Sequence, residues 1–168
     1  MSGPGCIIRA EAAGDEAGVD ALLRAAFGGP VEADLVRRLR ADGDVLLALV
    51  AEAGGDIVGH ILFSPLTGLA PLHAAALAPL AVHPSRQRAG IGAALVREGL
   101  VRLRAMGVDV VLVLGEPDYY GRFGFDAERA EAFRTPYDGS YLQALALSDA
   151  GGAARGTLHY AAAFAALG

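Results

Sequence analysis

The sequence predicts one α/β (α+β) domain over residues 1–168, with a mixed central β-sheet of about six to seven strands and helices on both faces. Three observations favour this fold class: amphipathic helical stripes, a hairpin of two apolar runs, and a buried strand that follows a central helix. Each of these elements has an apolar side that another layer must cover. The length suits one domain with its own core, and no linker or internal repeat divides the chain.

The amino-terminal part predicts a short strand followed by two helices. The strand begins at Ile7-Ile8. Asp15 is expected to cap a helix that ends at Phe27, because Gly28-Gly29-Pro30 follows and breaks it. A second helical stripe recurs over residues 31–39, with charged residues outside it. Both helices are therefore expected to bury one face.

The middle of the chain predicts a hairpin and then a further strand. Residues 45–53 and 57–64 are apolar runs joined by a short glycine-containing turn, which is typical of a β-hairpin. Residues 66–76 are interpreted as a loop. Residues 77–82 then predict a strand that ends at His83-Pro84, because proline lacks the N–H needed to continue pairing.

A helix and a buried strand follow. The helix is predicted over residues 93–106 and ends at Gly107. Residues 108–114 are almost wholly apolar and rich in β-branched side chains, which suits a strand buried on both faces. Residues 126–139 look irregular, whereas residues 141–147 alternate as a strand does.

The turn Gln87-Arg88-Ala89-Gly90-Ile91-Gly92 predicts an anion-binding site between a strand and a helix. The first N–H groups of a helix have no intrahelical partner, and the helix dipole favours negative charge there. Gly90 and Gly92 carry no side chains, so a phosphate group can approach the backbone closely. The turn therefore predicts a phosphate-bearing ligand.

Three phosphate-binding patterns compete for this turn. A nucleotide P-loop requires Gly-Lys-Ser/Thr where this chain has Gly92-Ala93-Ala94. The dinucleotide fingerprint needs a third glycine where Leu95 stands, so a dinucleotide-dependent oxidoreductase rests on Gly90 and Gly92 alone. The third pattern, Gln/Arg-x-x-Gly-x-Gly/Ala, matches at Gln87, Gly90 and Gly92.

A second motif, Tyr-x-x-x-Gly-Phe, begins at Tyr120 after the buried strand and ends at Gly124-Phe125. The glycine turn and this motif, in this order and with one helix and one strand between them, resemble the GCN5-related N-acetyltransferases (GNAT), which bind acetyl-coenzyme A (acetyl-CoA). The resemblance covers residues 45–125 well. The remainder is similar to a branch of bacterial acetyltransferases for which the resemblance names no substrate.

The resemblance implies an acetyl-CoA-dependent N-acetyltransferase that transfers an acetyl group to a primary amine of a small molecule or protein by direct attack on the thioester. In the family the fourth strand splays from the fifth, and the pantetheine arm lies in the gap. This implies that the backbone of Leu80, Ala81 and Val82 holds the arm, with the Val82 N–H polarising the acetyl carbonyl. The implied pyrophosphate cradle consists of Gln87, Arg88, Ala89, Gly90, Ile91, Gly92 and Ala93.

Tyr120 is the predicted general acid, because a phenol with a pKa of about 10 is not ionised at pH 7 and can donate its proton to a leaving thiolate with a pKa of about 8.5. Tyr119 is its competitor, and the two adjacent side chains are expected to point to different sides. Residues 77–82 contain no carboxylate for a general base. Glu116 is the candidate base, with His83, water or an already neutral amine as alternatives. The missing strand carboxylate also leaves open a non-catalytic acyl-CoA-binding or sensor module.

Composition excludes several other classes. The net charge is −5 and no basic block stands out, so nucleic-acid binding has no electrostatic basis. No apolar run approaches the roughly 20 residues of a membrane span, and no signal peptide is recognised, so a cytoplasmic location is expected. A single cysteine, Cys6, excludes an internal disulfide, and no metal-ligand spacing occurs. A homodimer stays open, because the apolar segment 161–167 can pack on its own domain or on a partner.

Overall fold

Nine strands are present in the computed structural model, which describes residues 2, 3 and 5–167 of the chain. Met1, Pro4 and Gly168 of the predicted domain 1–168 lie outside the described residues. The strands are β1 (Ser2–Gly3), β2 (Cys6–Ala10), β3 (Leu47–Ala53), β4 (Asp56–Leu66), β5 (Ala74–Val82), β6 (Val110–Leu114), β7 (Phe133–Arg134), β8 (Leu142–Ala146) and β9 (Gly156–Thr157).

Seven of these strands form one mixed sheet in the order β1-β2-β3-β4-β5-β6-β8, and β7 and β9 form a separate parallel pair. Only β5 and β6 are parallel neighbours within the described sheet; its other neighbours are antiparallel. Helix α3 (Ile91–Ala105) joins β5 to β6, the kind of crossover that parallel neighbours need. The predicted mixed sheet of six to seven strands is confirmed.

Helices cover both faces of the sheet. Helices α1 (Glu16–Phe27) and α2 (Val31–Asp42) pack in one cluster with Val50, whereas α3 packs in another with the adjacent Leu49. Successive side chains of a strand point to opposite faces, so the two clusters lie on opposite sides of the sheet. Shorter helices are α4 (Pro117–Tyr120), α5 (Ala127–Ala130) and α6 (Asp149–Ala153), with 3₁₀ turns over Ala13–Asp15, Pro84–Arg86, Gly121–Phe123 and Ala162–Leu167. No helix in residues 2–3 and 5–167 has both the length and the apolar character of a membrane span.

The carboxyl-terminal 3₁₀ turn packs against α2. Ala163 and Phe164 are buried in the same cluster as Leu35 and Leu39 of that helix. The segment thus covers apolar side chains within the chain, which is one of the two arrangements that the sequence left open.

Asp15 occupies the predicted N-cap position of α1, but its side chain makes no capping hydrogen bond, so that part of the prediction was wrong. Its carboxylate accepts the N–H of Ala12 at 2.7 Å and pairs with the Arg9 guanidinium at 2.8 Å. These contacts stabilise the 3₁₀ turn that precedes the helix, and they engage the Asp15 carboxylate that would otherwise cap α1. The hydrogen bond from Arg9 lowers the pKa of Asp15 to about 2.

Two other boundaries differ from the prediction. Residues 66–76 were predicted as a loop, but β5 begins at Ala74, where it pairs with both β4 and β6. Alanine has little strand propensity of its own, so burial between two neighbours decides the conformation of residues 74–76. Residues 126–139, predicted as irregular, contain helix α5 and strand β7.

Strand β5 stays paired with β6 only along its first half. The pairs join residues 74–77 of β5 to residues 110–113 of β6, and none follows Leu77 in the described sheet. Residues 78–82 therefore leave an open edge that faces the end of β6. We call this gap the split, and it confirms the predicted splay between what the sequence counted as the fourth and fifth strands.

A bulge in β5 coincides with the start of the split. Between two successive pairs with β4, residues 61–63 of β4 oppose residues 77–80 of β5, so β5 carries one extra residue. A bulged strand bends at the extra residue. Ala78-Pro79 lies at this position, and the carboxyl-terminal half of β5 turns away from β6 there.

Gly99 of α3 lies against the fully buried ring of Phe63. A Cβ at Gly99 would be 2.6 Å from Cε1 of that ring and 2.7 Å from Cζ. We expect Gly99→Ala to lower the free energy of unfolding by about 1–3 kcal/mol, although alanine is the better helix former. Urea denaturation measures this change. Gly152→Ala in α6 is the control, because its Cβ would make an ordinary 3.8 Å contact with Ala146. If Gly99→Ala raised the free energy of unfolding as much as Gly152→Ala did, the expected clash at Gly99 would be contradicted.

Candidate active site

The loop between β5 and α3 enters the helix through two left-handed residues. Arg88 has a φ of +64° and is the sole non-glycine residue with positive φ in the described part of the chain. Gly90 has a φ of +84° and precedes the first residue of α3. A left-handed arginine is strained, and strain of this kind clusters at ligand sites. The sequence predicted the turn, and the structure shows where its strain lies.

The backbone N–H groups of residues 88–93 donate to no backbone acceptor among the described residues. The first N–H of the helix to find a partner is that of Ala94, which donates to the Gly90 carbonyl at 3.0 Å. The preceding amides lie at the positive end of the α3 dipole. The loop therefore offers a run of unpartnered donors suited to an anion.

A cavity of about 490 Å³ lies between this loop, the end of β5 and the segment after β6. We call it the loop cavity. Eight of the ten predicted cofactor-binding residues line it: Leu80, Val82, Gln87, Arg88, Gly90, Ile91, Gly92 and Ala93. Ala81 and Ala89 do not line it: Ala81 is buried on the α1–α2 face, and Ala89 is exposed.

Three arginines line the loop cavity: Arg86, Arg88 and Arg122. The guanidinium of Arg122 lies over the ring of Tyr119, with 4.6 Å between Cζ and the ring centroid. Sequence reasoning missed Arg122 and Tyr119 as lining residues, although both stand in the tyrosine motif segment. Together the three side chains place positive charge around the unpartnered amides.

The backbone of Val82 faces the split. The N–H of His83 donates to the Val58 carbonyl of β4 at 2.8 Å, so the backbone of His83 faces β4. Neighbouring residues of a strand direct their N–H and C=O groups to opposite edges. Val82 and Leu80 therefore direct theirs to the open edge, and the Val82 carbonyl accepts a hydrogen bond from Gln87 Nε2 at 3.3 Å.

A second cavity, of about 400 Å³, lies on the α1–α2 side of the split. We call it the aromatic cavity. Its walls come from α1, α2, both strands of the split and the carboxyl-terminal segments: Phe27, Glu32, Leu35, Ala76, Leu77, Ala78, Pro79, Leu80, Leu112, Val113, Leu114, Tyr120, Tyr137, Tyr160 and Phe164. Leu80 lines both cavities, so the two meet at the split.

The adjacent tyrosines point to different cavities. Tyr119 lines the loop cavity and Tyr120 lines the aromatic cavity, while their rings meet edge-on at 5.0 Å. Burial, followed by the proximity of Tyr119, raises the pKa of Tyr120 to about 12. The Tyr120 phenol is therefore protonated throughout the neutral range. A Cβ at Gly115 would overlap the Tyr120 ring, so this glycine makes room for it.

The predicted bases lie outside both cavities. Glu116 has an exposed side chain, and its backbone carbonyl accepts the N–H groups of Tyr119 and Tyr120 at 3.1 Å and 3.0 Å. The ring of His83 is engaged locally, with Nδ1 2.8 Å from the Ser85 hydroxyl. The carboxylate on a cavity wall is instead Glu32, which sequence reasoning missed because it lies in an ordinary pattern of charges on α2.

These features define a class of protein. A sheet splits between its two parallel strands, an amide-rich cradle for phosphate lies on one side, and an apolar cavity lies on the other. Within the described residues, no group of three side chains is suited to hold a metal ion. The two sides of the split thus differ in chemistry: one is suited to an anion and the other to an apolar group.

The sequence profile of the "Acetyltransferase (GNAT) family" matches residues 17–125. The chain belongs to this family and is an acyltransferase of the N-acetyltransferase type. The dinucleotide-dependent oxidoreductase weighed from Gly90 and Gly92 is therefore wrong.

Named relatives agree with this assignment. The chain is 39% identical over 136 residues to "Uncharacterized N-acetyltransferase YhbS" of Escherichia coli (strain K12), covering 80% of this chain and 81% of that protein. The crystal structure of YhbS from Escherichia coli in complex with CoA matches with a TM-score of 0.91 and 35% identity, over 100% of this chain and 96% of that one. A GNAT family acetyltransferase from Brucella melitensis in complex with acetyl-CoA matches with a TM-score of 0.80 and 35% identity, over 96% and 99% of the two chains.

Proposed function

We propose that this chain transfers an acetyl group from acetyl-CoA to a primary amine of a small molecule or protein, by direct attack of the amine on the thioester. The observation that carries the proposal is the meeting of the loop cavity and the aromatic cavity at Leu80, inside the split. The CoA and acetyl-CoA held by the two related crystal structures support the choice of donor. When bound, acetyl-CoA supplies an acyl group activated as a thioester.

The proposed setting is the cytoplasm of a bacterium, with residues 1–168 acting as one domain. Besides the amine acceptor, we expect the chain to bind neither nucleic acid nor a membrane surface, in line with its net charge of −5. Pairing as a homodimer stays a prediction. Size-exclusion chromatography with light scattering measures it directly.

The loop cavity fits the charged end of acetyl-CoA. The amides of residues 88–93 and the three arginines offer donors and positive charge for a pyrophosphate. A Cβ at Gly92 would lie 2.8 Å from the Tyr119 hydroxyl and 3.5 Å from Val82 Cγ2. The absence of a side chain at Gly92 keeps the way open between the loop and the split.

The open edge of β5 fits the pantetheine arm. Leu80 and Val82 direct backbone groups into the split, whereas Ala81 between them turns its backbone to His60 of β4. We assign the arm to the backbone of Leu80 and Val82, with Ala81 as the spacer. The Val82 N–H donates to the acetyl carbonyl oxygen, where negative charge develops as the amine attacks.

Tyr120 supplies the proton that the reaction needs on sulfur. The amine nitrogen forms a bond to the carbonyl carbon, the carbon–sulfur bond breaks, and the sulfur takes the phenolic proton of Tyr120. The exposed Glu116 side chain lines neither cavity, so it does not reach the amine directly. The proton released by the amine therefore passes to Glu116 through water. Tyr120 then regains a proton from water.

Calorimetric titration of the purified chain with acetyl-CoA and with NADH tests the donor. We expect micromolar binding of acetyl-CoA and no binding of NADH. Release of free CoA in the presence of an amine then tests transfer. Binding without transfer to any amine would favour the non-catalytic acyl-CoA-binding or sensor module, and absence of binding would remove the roles given to the loop and to Val82.

Gly92→Val is expected to weaken acetyl-CoA binding about 10- to 100-fold, because its branched side chain would fill the passage between Tyr119 and Val82. Calorimetric titration measures the dissociation constant. Gly14→Val is the control, since a Cβ there meets no atom within 4 Å. An unchanged dissociation constant in Gly92→Val would show that the donor does not pass this glycine.

A further inference from the structure

Glu32 is the charged side chain on the wall of the aromatic cavity; the other lining residues are apolar or aromatic. It is half-buried in the first turn of α2. Within the described residues it forms no ion pair, whereas Asp20 and Asp34 nearby pair with Arg24 and Arg37. A half-buried carboxylate without an ion-pair partner leaves its negative charge available to a cation that enters this cavity.

Five aromatic rings surround the same space: Phe27, Tyr120, Tyr137, Tyr160 and Phe164. The ring of Tyr160 meets that of Tyr137 edge-on at 5.0 Å and that of Phe164 at 5.4 Å, which makes a continuous wall. Burial raises the pKa of Tyr160, so its phenol stays protonated at neutral pH. Aromatic faces bind apolar groups and also attract cations.

The charge and the reaction centre lie on different elements. Glu32 belongs to α2, while Leu80 and Tyr120 mark the split on β5 and after β6. The attacking amine must be neutral and must lie at the split. Because Glu32 and the split belong to different elements of one cavity wall, an acceptor can meet them with two different groups, an ammonium at Glu32 and the neutral amine at the split.

We propose that the acceptor is an amine with a second cationic group, joined to it by an apolar alkyl or aryl spacer. Glu32 binds the second cation and is the specificity-determining residue, and the aromatic wall holds the spacer. This inference rests on the proposed acetyl transfer, because the aromatic cavity holds the acceptor only if the loop cavity holds the donor.

Matched amines test the proposal by steady-state release of CoA. Hexamethylenediamine is compared with heptylamine, which replaces one ammonium by a methyl group at the same chain length. The same comparison is made for para-xylylenediamine and para-ethylbenzylamine. We expect kcat/KM to be about 10- to 100-fold higher for each diamine, mainly through a lower KM.

The variant Glu32→Gln is expected to remove this preference by raising KM for the diamines about 10- to 100-fold, with little change for the monoamines. Glu32→Asp should retain a preference of the same sign. Glu16→Gln is the control: Glu16 also lies in the first turn of a 12-residue helix, but it lines neither the loop cavity nor the aromatic cavity. Acetyl-CoA titration and thermal melting of each variant report donor binding and folding.

The outcomes distinguish a failure of the second-cation site from a failure of the proposed acetyl transfer. A preference for monoamines, or an equal loss for diamines and monoamines in Glu32→Gln, would overturn the second-cation site while acetyl transfer stands. Absence of transfer to any amine, with acetyl-CoA bound, would instead overturn the proposed function.

Discussion

Replacing Tyr120 by phenylalanine is expected to lower the kcat of acetyl transfer about 100-fold, the usual range for loss of a general acid. Tyr120 is 9% exposed and packs edge-on against Phe125 at 5.8 Å, so phenylalanine keeps the same contacts. The hydroxyl makes no hydrogen bond with a described residue that its removal would leave unpaired. The variant should therefore fold and bind acetyl-CoA like the parent chain, and single-turnover kinetics at saturating acetyl-CoA measures the loss.

Two further variants test which of the adjacent tyrosines acts as the general acid. Tyr119→Phe removes the hydroxyl from the loop cavity, so its effect should appear in the dissociation constant of acetyl-CoA and not in kcat. Tyr141→Phe is the control, because its side chain is 56% exposed and lines neither the loop cavity nor the aromatic cavity. A large loss of kcat in Tyr119→Phe with none in Tyr120→Phe would reverse the assignment of the two tyrosines.

The pH profile gives an independent check on Tyr120. Its pKa is raised from the ordinary value of a phenol to about 12, so the acid form persists as the pH rises. We expect no alkaline fall of kcat from Tyr120 up to about pH 10, where an exposed phenol is already half ionised. A decline centred near pH 8 that is absent in Tyr120→Phe would contradict this expectation.

Glu11→Ala is expected to lower the free energy of unfolding by about 3 kcal/mol, because it breaks a buried network of charges. The Glu11 carboxylate accepts a hydrogen bond from His60 Nε2 at 2.7 Å and pairs with Arg40 Nη2 at 2.9 Å. The His60 side chain is 0% exposed, that of Glu11 11% and that of Arg40 19%. The network joins the segment after β2, strand β4 and helix α2, and its loss leaves Arg40 without this acceptor.

Chemical denaturation at neutral pH measures the effect. The control is Glu52→Ala, which also removes an ion pair, with Arg9, but one whose side chains are 33% and 36% exposed. Exposed pairs contribute less than about 1 kcal/mol, so this variant should change stability little. Equal losses in the two variants would show that burial does not set the value of the Glu11 network.

The same network makes stability depend on pH. Burial alone would raise the pKa of Glu11, but the hydrogen bond from His60, the charge of His60 and the contacts of Arg40 together lower it below its ordinary value. A carboxyl whose pKa is lower in the folded chain contributes stability above its unfolded pKa of about 4.3 and loses it as the pH falls. The melting temperature of the parent chain should therefore fall more steeply below pH 4.3 than that of Glu11→Gln.

Most residues that line the loop cavity could be predicted from the sequence, because their signals are local. The loop from Gln87 to Ala93 and the motif at Tyr120 are short segments in which glycine and aromatic residues stand at fixed spacing. The strand–helix–strand order then brings them to one end of the sheet. Ala81 and Ala89 were the exceptions; for Ala81, the direction of the backbone groups depends on its register with β4.

The acceptor side could not be predicted, because its residues come from distant parts of the chain. Glu32 and Phe27 belong to the first two helices, and Tyr137, Tyr160 and Phe164 to the carboxyl-terminal third. Each of them fits an ordinary amphipathic or irregular segment when considered alone. Only tertiary packing places their side chains around one space.

The split has a consequence for what the enzyme can admit. Unpaired strand edges tend to capture any extended chain that reaches them. Here the two edges belong to neighbouring strands of one sheet, held apart after the bulge at Ala78-Pro79. A ligand that enters the split must be thin, unbranched and able to form hydrogen bonds along its length. The split therefore selects ligands by shape, separately from any recognition of phosphate. Under the proposed function, the pantetheine arm pairs with the open edge of β5 in each catalytic cycle and leaves it again when CoA is released.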